Sequence, residues 1–391
     1  MNILKRAFTI LCISTPIINI YNINGILVQD ILFIVLFPFL IYSLFANFKG
    51  NLLYKPTVFM FVYVLIHFLL IYIFDTNNVK DTMVSNTLHY IFYLFLVMFF
   101  VKKFFDIDLA IKCYKYFCIF ATMFIFLQFI LGTIFNYYLQ GTLPFFETVA
   151  DEYSNIALRD LSVFRPRSIF GEPAGYGIYI SIFLAINLFT EKRSIKDYSV
   201  DIFLTIGVVL SRSSTGILLC LLLWVFKGFI RMKVNLKRDF AFIIYLIFGI
   251  LIIGFPVMLF FINSDTYSLI IDHIFGTGTN GLGFGTLNRI GNYKYVFSTI
   301  YNSNIEILFG HGMRELDFYN PGIPRLFYYF GVTGTFIWIA IFVYIFLTTG
   351  WLQRRVLLMM ILIAFFSDTL FGIQPTIYFP LIIMLYKLRP N

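Results

Sequence analysis

Residues 111–135 read IKCYKYFCIFATMFIFLQFILGTIF, and the stretch from Tyr116 to Phe135 carries no charge. An apolar run of about 20 residues is what a helix needs to cross a hydrocarbon core of about 30 Å. The rest of the chain has the same character. Of its 391 residues 60% are hydrophobic and 13% charged, whereas soluble domains average about 25% charged. A membrane is the solvent that fits. Further apolar runs recur at about 7–20, 26–46, 57–74, 84–101, 174–190, 197–210, 214–230, 240–262, 326–349, 356–373 and 377–386. No soluble-like block large enough for a second domain is left between them. The expected fold is all-α: a polytopic integral membrane protein, one transmembrane domain over 1–391 with about 12 transmembrane helices.

Lys5 and Arg6 precede the first run as in a signal peptide, but no small-residue cleavage site comes before Tyr21-Asn22-Ile23-Asn24-Gly25. The first helix is therefore read as retained. Cys12, Cys113, Cys118 and Cys220 all fall inside apolar runs. They form neither a disulfide framework nor a zinc-site spacing and are read as packing residues.

With the N-terminus on the cytoplasmic side, 20 of the 29 basic residues fall in inner segments, including a cluster at 227–238. This is the bias the positive-inside rule predicts, and shifting the parity by one helix would invert it. Both termini are then cytoplasmic. The net charge of +9 is mostly topological, and no nucleic-acid partner is expected, because no base-reading element accompanies it. Anionic lipid is the simplest partner for 227–238. The outer basic residues are Lys80, Arg159, Arg165, Arg167, Arg212, Arg289, Lys294, Arg314 and Arg325. Orientation does not explain them. All but Lys80 lie within or beside two long outer loops, 136–173 and 263–325, or in the short turn at Ser211-Arg212-Ser213-Ser214. Arginine is the residue suited to holding a phosphate by a planar fork of donors.

The densest segment is Phe164-Arg165-Pro166-Arg167-Ser168-Ile169-Phe170-Gly171-Glu172-Pro173-Ala174-Gly175-Tyr176-Gly177, directly before a span. Its proline and glycines shape an irregular backbone, tolerated at membrane depth only where protein or a watery cavity surrounds it. Charges at such a mouth are costly unless paired or functional. Two readings stand: a salt bridge anchoring a re-entrant loop, or contacts to a substrate. Gly276-Thr277-Gly278-Thr279-Asn280-Gly281 fits a dinucleotide fingerprint, but without a strand before it and a helix after it the segment is read as a flexible loop. Of the histidines, His67 and His89 are read as satisfied polar residues in or beside helices, and no cluster with His273 matches a metal spacing. His311, between two glycines on the outer side, stands apart.

Arg167-Ser168-Ile169-Phe170-Gly171-Glu172-Pro173-Ala174 resembles the signature of Wzy-type O-antigen and capsule polymerases. Leu210-Ser211-Arg212-Ser213-Ser214-Thr215-Gly216 resembles that family's serine-arginine turn between two helices. Arg289-Ile290, followed by Ile307-Leu308-Phe309-Gly310-His311-Gly312, resembles the arginine that opens the second loop's helix and the later Gly-x-Gly. Gly331-Val332-Thr333-Gly334 resembles the small-residue start of the next span. The motifs cover about 150–340, and the hydropathy resemblance covers the chain. In one place the chain departs from the related O-antigen ligases, which carry a His before a Gly-x-x-Gly. Asn320-Pro321 stands there instead.

The resemblance implies a GT-C-like membrane glycosyltransferase in the bacterial inner membrane, acting on its periplasmic face. A growing glycan would leave undecaprenyl diphosphate and join a new lipid-linked repeat unit, with a flippase and a chain-length regulator as partners. Its alternatives are a ligase acting on a lipid A core and a non-catalytic flippase. The leaving diphosphate needs its developing charge neutralised; with no metal and no cofactor expected, that role falls to arginines. The substrate-binding candidates are Arg167, Arg289 and Arg212, then Arg165 and Arg325. Arginine stays protonated and cannot be the base. Glu172 and His311 are the catalytic candidates, with Glu172 equally able to orient an arginine.

Overall fold

The computed structural model describes residues 2–46, 55–74, 81–143, 146–148, 165–190, 195–231, 304–314, 322–367 and 375–385. Arg289, the fingerprint-like loop at Gly276, the apolar run 240–262 and most of the second outer loop lie outside the described residues.

Twelve helices are described: α1 (Asn2–Ile18), α2 (Val28–Ala46), α3 (Lys55–Phe74), α4 (Asp81–Phe104), α5 (Ile107–Ile134), α6 (Pro173–Phe189), α7 (Ile195–Leu210), α8 (Ser214–Arg231), the short α9 (Asn304–Phe309), α10 (Gly322–Thr348), α11 (Trp351–Phe366) and α12 (Pro375–Met384). All except α9 fall on expected apolar runs. Helices α2, α3, α4, α5 and α10 are long and apolar enough to cross a membrane. Their outward faces remain apolar: Val35, Phe39, Tyr42 and Phe45 on α2 and Phe59, Ile66 and Ile73 on α3 are exposed. Patches of this extent call for a lipid or a protein partner.

Local chemistry sets the helix ends. The Asp106 side chain caps α5 by accepting from the Leu109 amide at 3.2 Å and also pairs with Lys5 at 3.3 Å. Asn136, at φ 49, ends the helix in the left-handed conformation that asparagine tolerates. Pro173 opens α6 at its first position, where no amide hydrogen is needed.

Helix α6 lies at the centre. It packs on α5, α7, α8 and α11, and nearly all of its side chains are buried. A helix apolar all round must be surrounded. Its closest neighbour is α8: a Cβ added to Gly177 would stand 2.7 Å from the Cα of Gly216. One turn along, Ser181 Oγ meets Cys220 Sγ at 3.7 Å. Small residues four apart on both helices bring the backbones together, as in membrane helix pairs. Cys12, Cys118 and Cys220 are buried and none of the four cysteines is paired, in keeping with a packing role.

An all-α reading omits one small feature. Strands β1 (Tyr21–Ile23) and β2 (Ile26–Leu27) form a hairpin, and β3 (Glu147–Thr148) pairs with β1 on the other side, giving the order β2-β1-β3. Asn24 at φ 51 and Gly25 at φ 80 make the two-residue turn whose twist suits a hairpin.

Contacts between helix ends sort into two groups. At one end Lys5 meets Asp106, Lys115 meets Asp197 at 3.4 Å, and Lys103 donates to the Ser43 carbonyl at 2.6 Å. Lys227 donates to the Leu188 carbonyl there, and Arg355 lies 4.7 Å from the ring centroid of Phe189. At the other end stand the small sheet, the His89–Asp30 pair at 2.9 Å, and the Asn86 amide donating to the Met313 carbonyl at 3.1 Å. The described residues among those expected to form a site belong to this second end.

Candidate functional site

Two constructions occupy that end. The first is the loop at 165–172. Ser168 has φ 58, and the Phe170 amide closes a turn on the Arg167 carbonyl at 3.2 Å. A single amide side chain from α5 holds this turn. Gln128 Oε1 accepts from the amides of Arg167 (3.2 Å) and Ser168 (2.7 Å), while its Nε2 donates to the carbonyls of Leu139 (2.9 Å) and Ser168 (3.4 Å). Ser168 Oγ donates to the Ala121 carbonyl at 2.8 Å. Gly141 completes the fit, since a Cβ there would collide with the Ser168 carbonyl oxygen at 1.6 Å. Phe170 is buried against the rings of Tyr176 and Tyr179.

The arginines of this loop differ in role. Arg167 is 3% exposed and donates from one terminal nitrogen to the Gly171 carbonyl at 2.6 Å. It braces the turn from inside. Arg165 is half-buried, and its Nε donates to the Arg212 carbonyl at 3.2 Å, joining the loop to the turn after α7. That turn also matches the expected short break between two helices. Arg212 takes φ 53, with its guanidinium 6.0 Å from the centroid of Phe129. Ser211 and Ser213 are fully buried, one donating to the Val208 carbonyl at 2.7 Å and the other accepting from the Gly216 amide at 3.1 Å. Arg165, Arg167 and Arg212 thus form one basic locus seated on α5. Glu172 is exposed at the start of α6 and does not cap that helix through its side chain.

The second construction surrounds His311. Gly331 interrupts α10 with φ 61, so the expected small-residue start of a span is in fact a break inside a helix that begins at Gly322. The segment after α9 runs against this break. The amides of His311 and Gly312 donate to the carbonyls of Tyr328 (2.8 Å) and Tyr329 (3.0 Å), and Thr333 Oγ1 donates to the Leu308 carbonyl at 2.5 Å. Gly310 and Gly312 both have positive φ, and a Cβ on Gly310 would lie 2.6 Å from the Gly331 nitrogen. Only glycine fits at the crossing. His67 Nε2 bonds to the Phe309 carbonyl at 2.5 Å and His89 pairs with Asp30, so both are satisfied polar residues as expected. The His311 ring lies against Tyr328, with centroids 4.7 Å apart and planes at 31°. Its Nδ1 is 3.7 Å from Glu306 Oε1. Arg325, one turn before Tyr329 on α10, places its guanidinium 5.9 Å from that ring's centroid.

No family model matches this chain, and no curated protein matches it significantly. Sequence reasoning missed Gln128 and Glu306. The first was a lone amide inside an otherwise apolar run, a signal that buried polar groups in membranes are costly and retained for a reason.

Proposed function

We propose that the chain is a membrane glycosyltransferase that polymerises undecaprenyl-diphosphate-linked oligosaccharide repeat units on the periplasmic face of the bacterial inner membrane. About twelve spans, cytoplasmic termini and outward loops at 136–173 and 263–325 belong to the same proposal. The observation that carries it is the basic locus. Arg165 and Arg212, 47 positions apart, meet at the bundle end opposite the one where Lys5, Lys103, Lys115, Lys227 and Arg355 gather. Arginines gathered there have no topological reason and suit the charge of a diphosphate.

In this scheme the growing chain is bound through its lipid diphosphate. Attack by the hydroxyl of an incoming unit breaks the anomeric carbon–oxygen bond, and the diphosphate leaves with the electron pair. Arg165 and Arg212, with Arg289 and Arg325, neutralise that charge in a water-poor mouth, where fixed donors are worth most. Arg167 braces the loop that carries Arg165. Glu172 or His311 takes the acceptor proton.

The test is chain extension by purified protein in liposomes supplied with the lipid-linked repeat unit. Replacing Arg165 or Arg212 by lysine should reduce turnover nearly as much as replacement by alanine, on the order of 10²-fold, because the charge persists but the fork is lost. Full activity of both lysine variants would contradict the diphosphate role. No extension by the unsubstituted protein would contradict the polymerase reading.

A further inference from the structure

We propose that Asp30, Asn86 and His89 form a sugar-binding patch, a subsite for the hydroxyl groups of the lipid-linked glycan. The inference rests on the glycosyl-transfer reading above and concerns what holds the sugar rather than the diphosphate. Asn86 and His89 are three positions apart in the outer third of α4 and share one face of that helix. Asp30 reaches the same face from the first turn of α2. Its Oδ1 accepts from the Tyr93 hydroxyl and pairs with His89 Nε2 at 2.9 Å. Tyr93, one turn further along α4, is buried with its ring edge-on to Phe33. The carboxylate is thereby held in place, and the imidazole with it.

What the patch leaves open decides its ligand. A carboxylate on Nε2 keeps the imidazole proton there and leaves Nδ1 as an acceptor. The His89 and Asp30 side chains are 28% and 16% exposed, and neither His89 Nδ1 nor Asp30 Oδ2 is hydrogen-bonded among the described residues. Asn86 is exposed, with its amide nitrogen engaged by the Met313 carbonyl at 3.1 Å, which leaves Oδ1 open. The open atoms are three acceptors, one of them on a carboxylate. Such a set repels a phosphate and matches neighbouring hydroxyl groups, each of which brings a donor. Lipid tails do not suit it, because ionisable side chains in a span face the bundle or a watery cavity. The patch also lies between the two constructions described above. Asn86 meets Met313, two residues after His311. Helix α2 follows the hairpin whose Tyr21 hydroxyl accepts from the Leu143 amide of the first outer loop at 3.1 Å.

Two measurements on the full-length protein test this. The first is nitrogen NMR of histidine-labelled protein in nanodiscs, tractable with four histidines and independent of turnover. The probe is the undecaprenyl-diphosphate-linked repeat unit extracted from a strain lacking this chain. The His89 Nδ1 signal should shift when that lipid is added and stay in place with undecaprenyl diphosphate, which has no glycan. The second is chain extension by Asn86→Ala and His89→Phe. Each should raise KM for the lipid-linked unit about threefold to tenfold, the effect of one lost hydrogen bond, with kcat little changed. An unmoved His89 signal in the presence of the repeat unit overturns the proposal. So does an equal shift with undecaprenyl diphosphate alone, which assigns the patch to the lipid or its phosphates, or an unchanged KM in both folded variants. If the unsubstituted protein extends no chain, the polymerase reading fails while the NMR comparison still decides whether the patch holds the glycan.

Discussion

Gln128→Leu keeps the length and apolar volume of the side chain and removes only its polar atoms. Four bonds disappear: two from the amides of Arg167 and Ser168, and two to the carbonyls of Leu139 and Ser168. Gln128 is 1% exposed, so water does not replace them without opening the loop. A buried group left unsatisfied costs about 1–3 kcal/mol. The 3.4 and 3.2 Å bonds are the weaker pair, so the loss should be on the order of 3 kcal/mol rather than four full penalties. That free energy falls on local opening of 165–172, because the remaining helices do not depend on this amide. At about 1.4 kcal/mol per tenfold, amide hydrogen exchange at Arg167 and Ser168 should quicken about a hundredfold, measurable by mass spectrometry on the peptide covering the loop. Exchange in α11 should not change. Unaltered exchange at Arg167 and Ser168 in a folded variant would refute the assignment of Gln128 as the loop's anchor.

Gly177→Ala should lower the thermal unfolding midpoint through an overpacking cost of about 1–3 kcal/mol, because its Cβ would meet the Gly216 Cα at 2.7 Å. Combined with Gly216→Ala the loss should be less than additive, since the helices need separate only once. Asp106 predicts an acid limb of stability. Burial alone would raise its carboxyl, but the Leu109 amide and Lys5 outweigh burial and hold it below the usual aspartate range. Its contribution is therefore complete above the unfolded value of about 3.9 and is lost as pH falls through the lower folded value; Asp106→Asn should flatten that part of a denaturation–pH profile. Chain extension should survive a chelator, because arginines are assigned the leaving-group charge; loss of activity restored by magnesium or manganese would contradict that assignment.

The helices were legible because membrane burial is written in composition. An apolar run such as 111–135 needs no partner to be recognised, and the described boundaries differ from the sequence reading by only a few residues at most ends. The turn at Ser211 was equally plain, a polar interruption between two such runs. What escaped depends on tertiary partners. Asn24-Gly25 carries the hairpin signal, but its flanking strands merge into the apolar runs on either side, and β3 lies more than a hundred positions away. Gly331 looks like the start of a span until Gly310 is seen lying against it. Arg167, in a motif rich in charge, reads as a ligand for substrate; its burial and its bond to Gly171, which also make it hold the turn, are visible only in the fold. Glu306 carried no local signal at all, since its relation to His311 is made by the glycine turn between them.

The most direct test of polymerase function is the surface glycan profile of a strain lacking this chain. That strain should carry surface lipid capped with a single repeat unit, and the long ladder should be restored by the intact protein but not by the Arg165→Ala, Arg212→Ala double variant. Lipid-linked polymer accumulating without a surface chain would assign the protein to ligation, and single units held on the inner leaflet would assign it to flipping; either result would contradict the account.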